Sequence, residues 1–374
     1  MLPAPTKNSL PLEGCPVILK SESYRLRRLD GLRGIAVLMV FVHHVFYPPH
    51  GWEGVTLFFI ISGFLITGIL RRTRTKPDFW RSFYIKRAAR ILPPLVIFFI
   101  LTVSVYRSEV WRLPFYICFA ANIMEAFHPA PGHIEFVILW SLAVEEHFYL
   151  LWPFAVRFLS RSRLIQLSIA IIVLDPVLRL IATPWFSTYF PIYLLTPFQV
   201  DGLAAGSLIA VLNEDERFRP VLARWSGPML LFFAVLYAAL SYLVPSFARV
   251  DNSRLFNGGG YTILVLGMAA VLASIYYHPK SLPSRILASP PVFFMGSISY
   301  GFYLFHRVMQ DIAFRLIKST FSVPHGRWAQ PVGFLLAIGL SWLSFHFYEK
   351  PIIRWGRRLA ESPGDAKSVP LSDV

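Results

Sequence analysis

"RGIAVLMVFVHH", residues 33–44, decides the fold. An apolar stretch with helix-forming composition is bracketed by one arginine and two histidines. The run it belongs to, 29–47, is long enough to span a bilayer, and His44 falls inside it rather than at its end. Eleven residues at about 100° each make three turns plus roughly 20°, so Arg33 and His44 project from one helix face, ~16 Å apart along the axis. Polar headgroups suit Arg33. An imidazole near the bilayer midplane needs a reason, because ionisable groups in hydrocarbon are costly and are functional candidates by default.

Further long apolar runs occur near 53–71, 91–107, 137–158, 163–183, 192–213, 228–245, 259–277, 290–317 and 329–348. Each approaches the ~20 residues that cross ~30 Å of hydrocarbon. The 374 residues are 55% hydrophobic and only 15% charged, with a mean hydropathy of +0.53, well below the roughly one-quarter charge of soluble domains. A net charge of +15 does not point to nucleic acid, because the basic residues fall between apolar runs, as membrane topology requires. Segment 115–127, "FYICFAANIMEAF", is short and carries Asn122 and Glu125. If it crossed, "RFLSRSR" after the fourth run would face outside, against the positive-inside rule. It is therefore expected to be re-entrant or interfacial. The expected fold is an all-α polytopic membrane protein with about ten transmembrane helices and both termini cytoplasmic. A polar tail (1–24), one membrane domain (25–358) and a second polar tail (359–374) make up the chain. The first 24 residues show no signal-peptide core. Cys15 and Cys118 are too far apart to form a disulfide framework or a zinc pattern, and no metal is expected.

A second polar cluster interrupts "LWSLAVEEHFYLLWP", residues 139–153. Glu146 lies eleven residues above Arg157, and is expected at the depth of His44. A histidine beside a carboxylate is a general base with an orienting partner. Glu145 and Glu146 are both candidates, but neighbours 100° apart cannot both face one partner. On the cytoplasmic side of the third run, Trp80, Phe83, Tyr84 and Ile91 form an interfacial stripe that Arg87 interrupts, with Arg90 one turn on. Lipid phosphates or the phosphates of a nucleotide donor can bind such guanidinium groups. Ser62 and Gly63 in "ISGF" serve either close helix packing or a slender ligand. His306 can contact a substrate or satisfy a carboxylate such as Asp311. Tyr149, Asp175 and Asp201 read as intramembrane structural pairs, with Tyr149 also placed to touch substrate. Glu349 is expected to meet an inner-face arginine. The short outer segments hold few aromatics and no sugar-binding signature.

"LDGLRGIAVLMVFVHH", "TLFFIISGFLIT", "FYIKRAARILPP", "LWSLAVEEHFYLLWP" and "ISYGFYLFH" resemble, in order, the signature segments of the acyltransferase-3 family, over about residues 25–355. The resemblance implies acyl transfer, often of acetyl, from a cytoplasmic acyl-CoA to a hydroxyl of a glycan or glycolipid at the outer face of a bacterial inner membrane. It maps the family's Arg-x10-His pair onto Arg33 and His44, and its Arg-x-x-Arg onto Arg87 and Arg90. His44 is then the base, or an acyl-accepting nucleophile, with Glu145 or Glu146 supporting it. Arg33, Arg87, Arg90 and Ser62 would hold the donor, chiefly acetyl-CoA, while Tyr149 and His306 would contact substrate. Its partners would be acyl-CoA, the hydroxyl acceptor and membrane lipids. Two positions depart from the family's pattern: Thr56 follows Gly54-Val55 where an aspartate is common, and Gln199 replaces an arginine two residues before Asp201. The alternative from another class is a proton-coupled transporter using His44 and Glu146 as a relay; no repeat symmetry supports it.

Overall fold

The computed structural model describes residues 16–48, 50–128, 134–247, 249–321 and 328–360. The expected polar tails lie largely outside these residues. Among the described residues there is no strand, and the fold is all-α. Helices α1 (Pro16–Phe46), α2 (Glu53–Thr73) and α3 (Phe79–Val105) are followed by three short ones, α4 (Leu113–Ile117), α5 (Ala121–Phe127) and α6 (Ile134–Val137). Then come α7 (Leu139–Phe158), α8 (Arg161–Ala182), α9 (Phe190–Leu194), α10 (Val200–Leu212), α11 (Phe218–Leu243) and α12 (Tyr261–Tyr277). The chain ends with α13 (Leu282–Leu287), α14 (Pro290–Ser297), α15 (Ser299–Phe321), α16 (Ala329–Leu343) and α17 (Lys350–Ala360).

Seven helical segments among the described residues are long and apolar enough to cross a membrane: Arg27–Phe46, Glu53–Thr73, Phe79–Val105, Arg161–Trp185, Phe218–Leu243, Phe256–Tyr277 and Ala329–Ala360. The other three expected runs depart for identifiable reasons. Helix α7 is 20 residues long, but Glu145, Glu146 and His147 lower its hydropathy. The run 192–213 breaks at Leu195 and Gln199, leaving α10 with 13 residues, ~20 Å of helix. The run 290–317 is interrupted at Ile298 between α14 and α15.

Hydrogen bonds define the two ends of the bundle. At the end of α3, Tyr106 Oη donates to Asp311 Oδ2 at 2.6 Å, near the level of His44. At the end of α7, Arg157 donates to the carbonyl of Arg74, which follows α2. The chain between α3 and α7 therefore starts and finishes at the His44 end, and α5, with seven residues, is far too short to cross. Segment 115–127 does not traverse the bundle. Helix α17 returns to the opposite end, where Gly356 packs against Ala89 of α3.

Packing is tightest where small residues let backbones meet. A Cβ on Gly63 would collide with the carbonyl of Leu203, and one on Gly206 with that of Ile60; α2 and α10 touch backbone to backbone. The close-packing role of "ISGF" thus belongs to Gly63, which leaves Ser62 to face α7. Phe41 of α1 packs at a tilt against Phe302 and Phe334 at 5.6 and 4.9 Å and locks α1 to α15 and α16. Helix α11, by contrast, buries only Ser226; apolar all round, it faces outward as a lipid-exposed helix would.

Candidate active site

His44 and His306 meet across α1 and α15. His44 Nδ1 lies 2.9 Å from His306 Nε2, with the rings 10° from parallel and their centroids 5.1 Å apart. His306 is fully buried, and its Nδ1 lies 2.7 Å from the carbonyl oxygen of Tyr303. This network assigns the protons. A carbonyl only accepts, so His306 Nδ1 carries a hydrogen and donates it to Tyr303. In a neutral ring Nε2 is then an acceptor, and His44 Nδ1 donates to it. His44 Nε2 is left as a lone-pair acceptor. Arg307 Nη1 donates to the carbonyl oxygen of His44 at 2.8 Å, tying the same two helices together.

His306 was expected to contact substrate or a carboxylate. Both its ring nitrogens are occupied by Tyr303 and His44, so neither is available for that. Asp311 instead accepts from Tyr106, and from Arg315 Nε at 2.7 Å.

The carboxylates form a separate cluster towards the Arg33 end. Ser62 Oγ donates to Glu145 Oε1 and Tyr149 Oη to Glu145 Oε2, each at 2.9 Å. The cations facing Glu145 are Arg33 and Arg87. No contact joins Glu146 to His44 among the described residues, and Glu146 Oε1 is buried without a hydrogen-bond partner. Glu146 and His44 are therefore not brought together as an acid–base pair. Arg28, five positions before Arg33, reaches Ile275 O near the end of α12 at 2.5 Å, while Arg33 sits among carboxylates. His147 points elsewhere, to Thr196 Oγ1 at 2.7 Å.

Arg87 lies 5.5 Å over the ring of Tyr149, a cation–π contact. Arg90 approaches Glu349 Oε2 at 4.0 Å and the Phe345 ring at 5.6 Å. A π-helical turn, Ser344–Glu349, aims Glu349 at this site, and Ser344 Oγ holds its other oxygen at 2.8 Å. Such turns recur at functional sites. The expected pairing of Glu349 with an inner-face arginine is thus met by Arg90. Among the described residues neither Arg87 nor Arg90 donates a hydrogen bond to a carboxylate, so their planar forks are available to an anion. Tyr300 Oη, at the same level, donates to Ile91 O at 3.1 Å.

Three features escape the sequence reading. Tyr300, Tyr303, Arg307 and Gln310 recur at i, i+3, i+7 and i+10, so α15 carries a polar stripe from the Arg33 cluster to the His44 end; that periodicity was available as a signal. Arg179 of α8 is fully buried and donates to Asp201 Oδ2 at 2.7 Å and to Phe198 O at 2.8 Å. It brings a buried cation from α8 to Asp201, two residues after Gln199. At the His44 end Arg249 is ringed by Trp52, Tyr189 and Tyr193 at 4.7, 5.1 and 4.4 Å, an aromatic cluster assembled from three segments.

The acyltransferase domain family model matches residues 26–346. Peptidoglycan O-acetyltransferase OatA of Listeria monocytogenes is 28% identical over 88% of this chain and 56% of its own length. Putative peptidoglycan O-acetyltransferase YrhL of Bacillus subtilis is 28% identical over 88% of this chain and 55% of its own length. A putative O-acetyltransferase of Staphylococcus aureus is 26% identical over 74% of this chain and 49% of its own length. The chain spans about half the length of these relatives. No solved structure matches it. With the family model covering most of its length, and with the quoted signature segments converging on one bundle, the chain belongs to the acyltransferase-3 family.

Proposed function

We propose that this protein is a multi-pass enzyme of a bacterial plasma membrane. It moves an acyl group, chiefly acetyl, from cytoplasmic acyl-CoA to a hydroxyl of an extracytoplasmic glycan. The names of its relatives make peptidoglycan the first acceptor to test. The observation that carries the reading is the chain Tyr303 O–His306–His44, which leaves one nitrogen of His44 unprotonated.

In this account the Arg33 end is cytoplasmic. Arg87 and Arg90 hold CoA phosphates with their free donors, Arg33 adds positive potential, and the uncharged pantetheine arm passes Ser62 and Tyr149 towards His44. The acceptor arrives from the other end. As its oxygen attacks the thioester carbonyl, His44 Nε2 takes the hydroxyl proton. The C–O bond forms, the C–S bond breaks, and the departing thiolate recovers the proton from the imidazolium. Neutral His44 is restored, ready for another turnover. Glu145, tied to Ser62 and Tyr149, orients the channel wall rather than the base. A proton relay between His44 and Glu146 gains no support, since His44 is paired with His306 instead.

Mass spectrometry of envelope glycans from cells with and without the protein tests the reading. Base-labile acyl esters should appear only when it is present. Identical glycans in the two strains would refute it.

A further inference from the structure

Helices α3 and α17 overhang the bundle at the Arg33 end. The segment Ala329–Ala360, which ends in α17, has 32 residues, and Phe79–Val105 has 27. That is about 48 and 40 Å of helix against the ~30 Å of a bilayer's hydrocarbon. The overhanging ends stay packed together: a Cβ on Gly356 would lie 2.5 Å from Ala89 Cβ and 3.7 Å from the carbonyl oxygen of Ile85. Five cations stand exposed on this pair, Arg81 and Lys86 from α3 and Arg354, Arg357 and Arg358 from α17. None of the five makes a hydrogen bond or an ion pair among the described residues. At the same end of the bundle, by contrast, Arg71 pairs with Glu214 at 2.7 Å and Arg161 with Asp215 at 3.0 Å.

The circumference of α17 is divided three ways. Gly356 marks the side that packs on α3. Counting about 100° per residue from it, Arg357, Arg354 and Arg358 fall at about 100°, 160° and 200°. Pro351, Trp355 and Leu359 follow at about 220°, 260° and 300°. The first set is a cationic stripe, and the second is an apolar stripe left exposed, with Trp355 62% accessible. A helix that lies against a lipid surface is built this way, with apolar groups towards the acyl chains and cations beside the phosphates. A soluble anion would make no use of the apolar stripe. Membrane topology alone asks only for positive charge at this end, not for its sorting to one side of the helix.

We propose that α17 and the start of α3 form a ledge that binds the headgroups of anionic phospholipids in the leaflet at the Arg33 end. Trp355 and Leu359 meet the upper acyl chains, and the five cations meet phosphate oxygens. The ledge is distinct from Arg87 and Arg90, which face Tyr149 and Glu349. It does not depend on the acyl-transfer reading.

Native mass spectrometry of the purified full-length protein in detergent, with phosphatidylglycerol or phosphatidylcholine added, tests this. The wild type should retain phosphatidylglycerol in preference to phosphatidylcholine. One cation near an anionic lipid surface changes affinity about fivefold. Arg354→Gln/Arg357→Gln/Arg358→Gln should therefore weaken phosphatidylglycerol binding about tenfold or more, and Arg81→Gln/Lys86→Gln should weaken it in the same direction. Arg163→Gln/Arg217→Gln/Arg224→Gln removes three exposed cations outside the ledge and should leave it unchanged. Acetyl-CoA affinity should stay at the wild-type value in all three variants. A wild type without preference for phosphatidylglycerol would overturn the ledge. So would an equal loss in the variant outside it, which would make net charge the cause. Ledge variants that keep phosphatidylglycerol but lose acetyl-CoA affinity would also overturn it, by giving these cations to the donor.

Discussion

In the proposed reaction His44 is held in its tautomer by His306, a residue that touches no solvent. Because His306 fixes the proton on His44 Nδ1, His306→Ala should cut kcat by roughly ten- to a hundredfold, a fraction of the ~10²–10⁴ that a general base supplies. The apparent affinity for acyl-CoA should not change. His306→Gln can donate to Tyr303 O and accept from His44 at once, so it should recover part of the activity; steady-state kinetics of both variants check this. If Arg87 and Arg90 grip phosphate, either change to Ala removes a contact of about 1.5–3 kcal/mol. Acyl-CoA should then bind about ten- to a hundredfold more weakly, with Arg87→Lys rescuing only in part. Titration in detergent separates this from lipid anchoring, for which affinity would be unchanged. At this scale the sequence shows which groups are out of place in lipid, and both histidines and both arginines stand out on that ground. It cannot show that His44 meets His306, a residue 262 positions away, because nothing local to either histidine encodes the contact.

Among the elements, α2 and α10 carry the strictest demand on residue size. Gly63→Leu would drive a side chain into the Leu203 backbone, which cannot rotate aside as a side chain can. Overpacking of this kind costs about 1–3 kcal/mol. The variant should lose thermal stability in detergent, while Gly68→Ala, whose Cβ meets nothing within 4 Å, should not. Helices α2, α3 and α11 are readable from hydropathy because a long apolar run has few alternatives to spanning lipid. Pro197 was an available signal for the break between Leu195 and Gln199, whereas no proline or charge marks the one at Ile298. Positive charge, however, does identify the segment that fails to cross. With Cys15 and Cys118 replaced, a cysteine at Ser160 should react with an impermeant thiol reagent only from the cytoplasmic side. Native Cys118, which is exposed and belongs to the segment held at the His44 end, should react only from outside. The opposite pattern at either site would invert the bundle.

Across the whole molecule, cationic and carboxylate groups gather at the Arg33 end and a small polar cavity opens at the His44 end. The stripe on α15 runs between them. A donor confined to one side of a membrane by its charge and an acceptor confined to the other can meet only within such a bundle. Glu146 was expected beside His44 because each lies eleven residues from an arginine, but equal counts along two helices do not turn two side chains towards each other, and His44 pairs with His306 instead. The central claim is that His44 removes the acceptor's proton. Its most direct test is the rate of acetyl transfer by purified His44→Ala, at matched amounts of folded protein, with acetyl-CoA affinity measured in the same preparation. The account predicts a loss of about a hundredfold or more at wild-type donor affinity. Undiminished transfer by well-folded His44→Ala would contradict it.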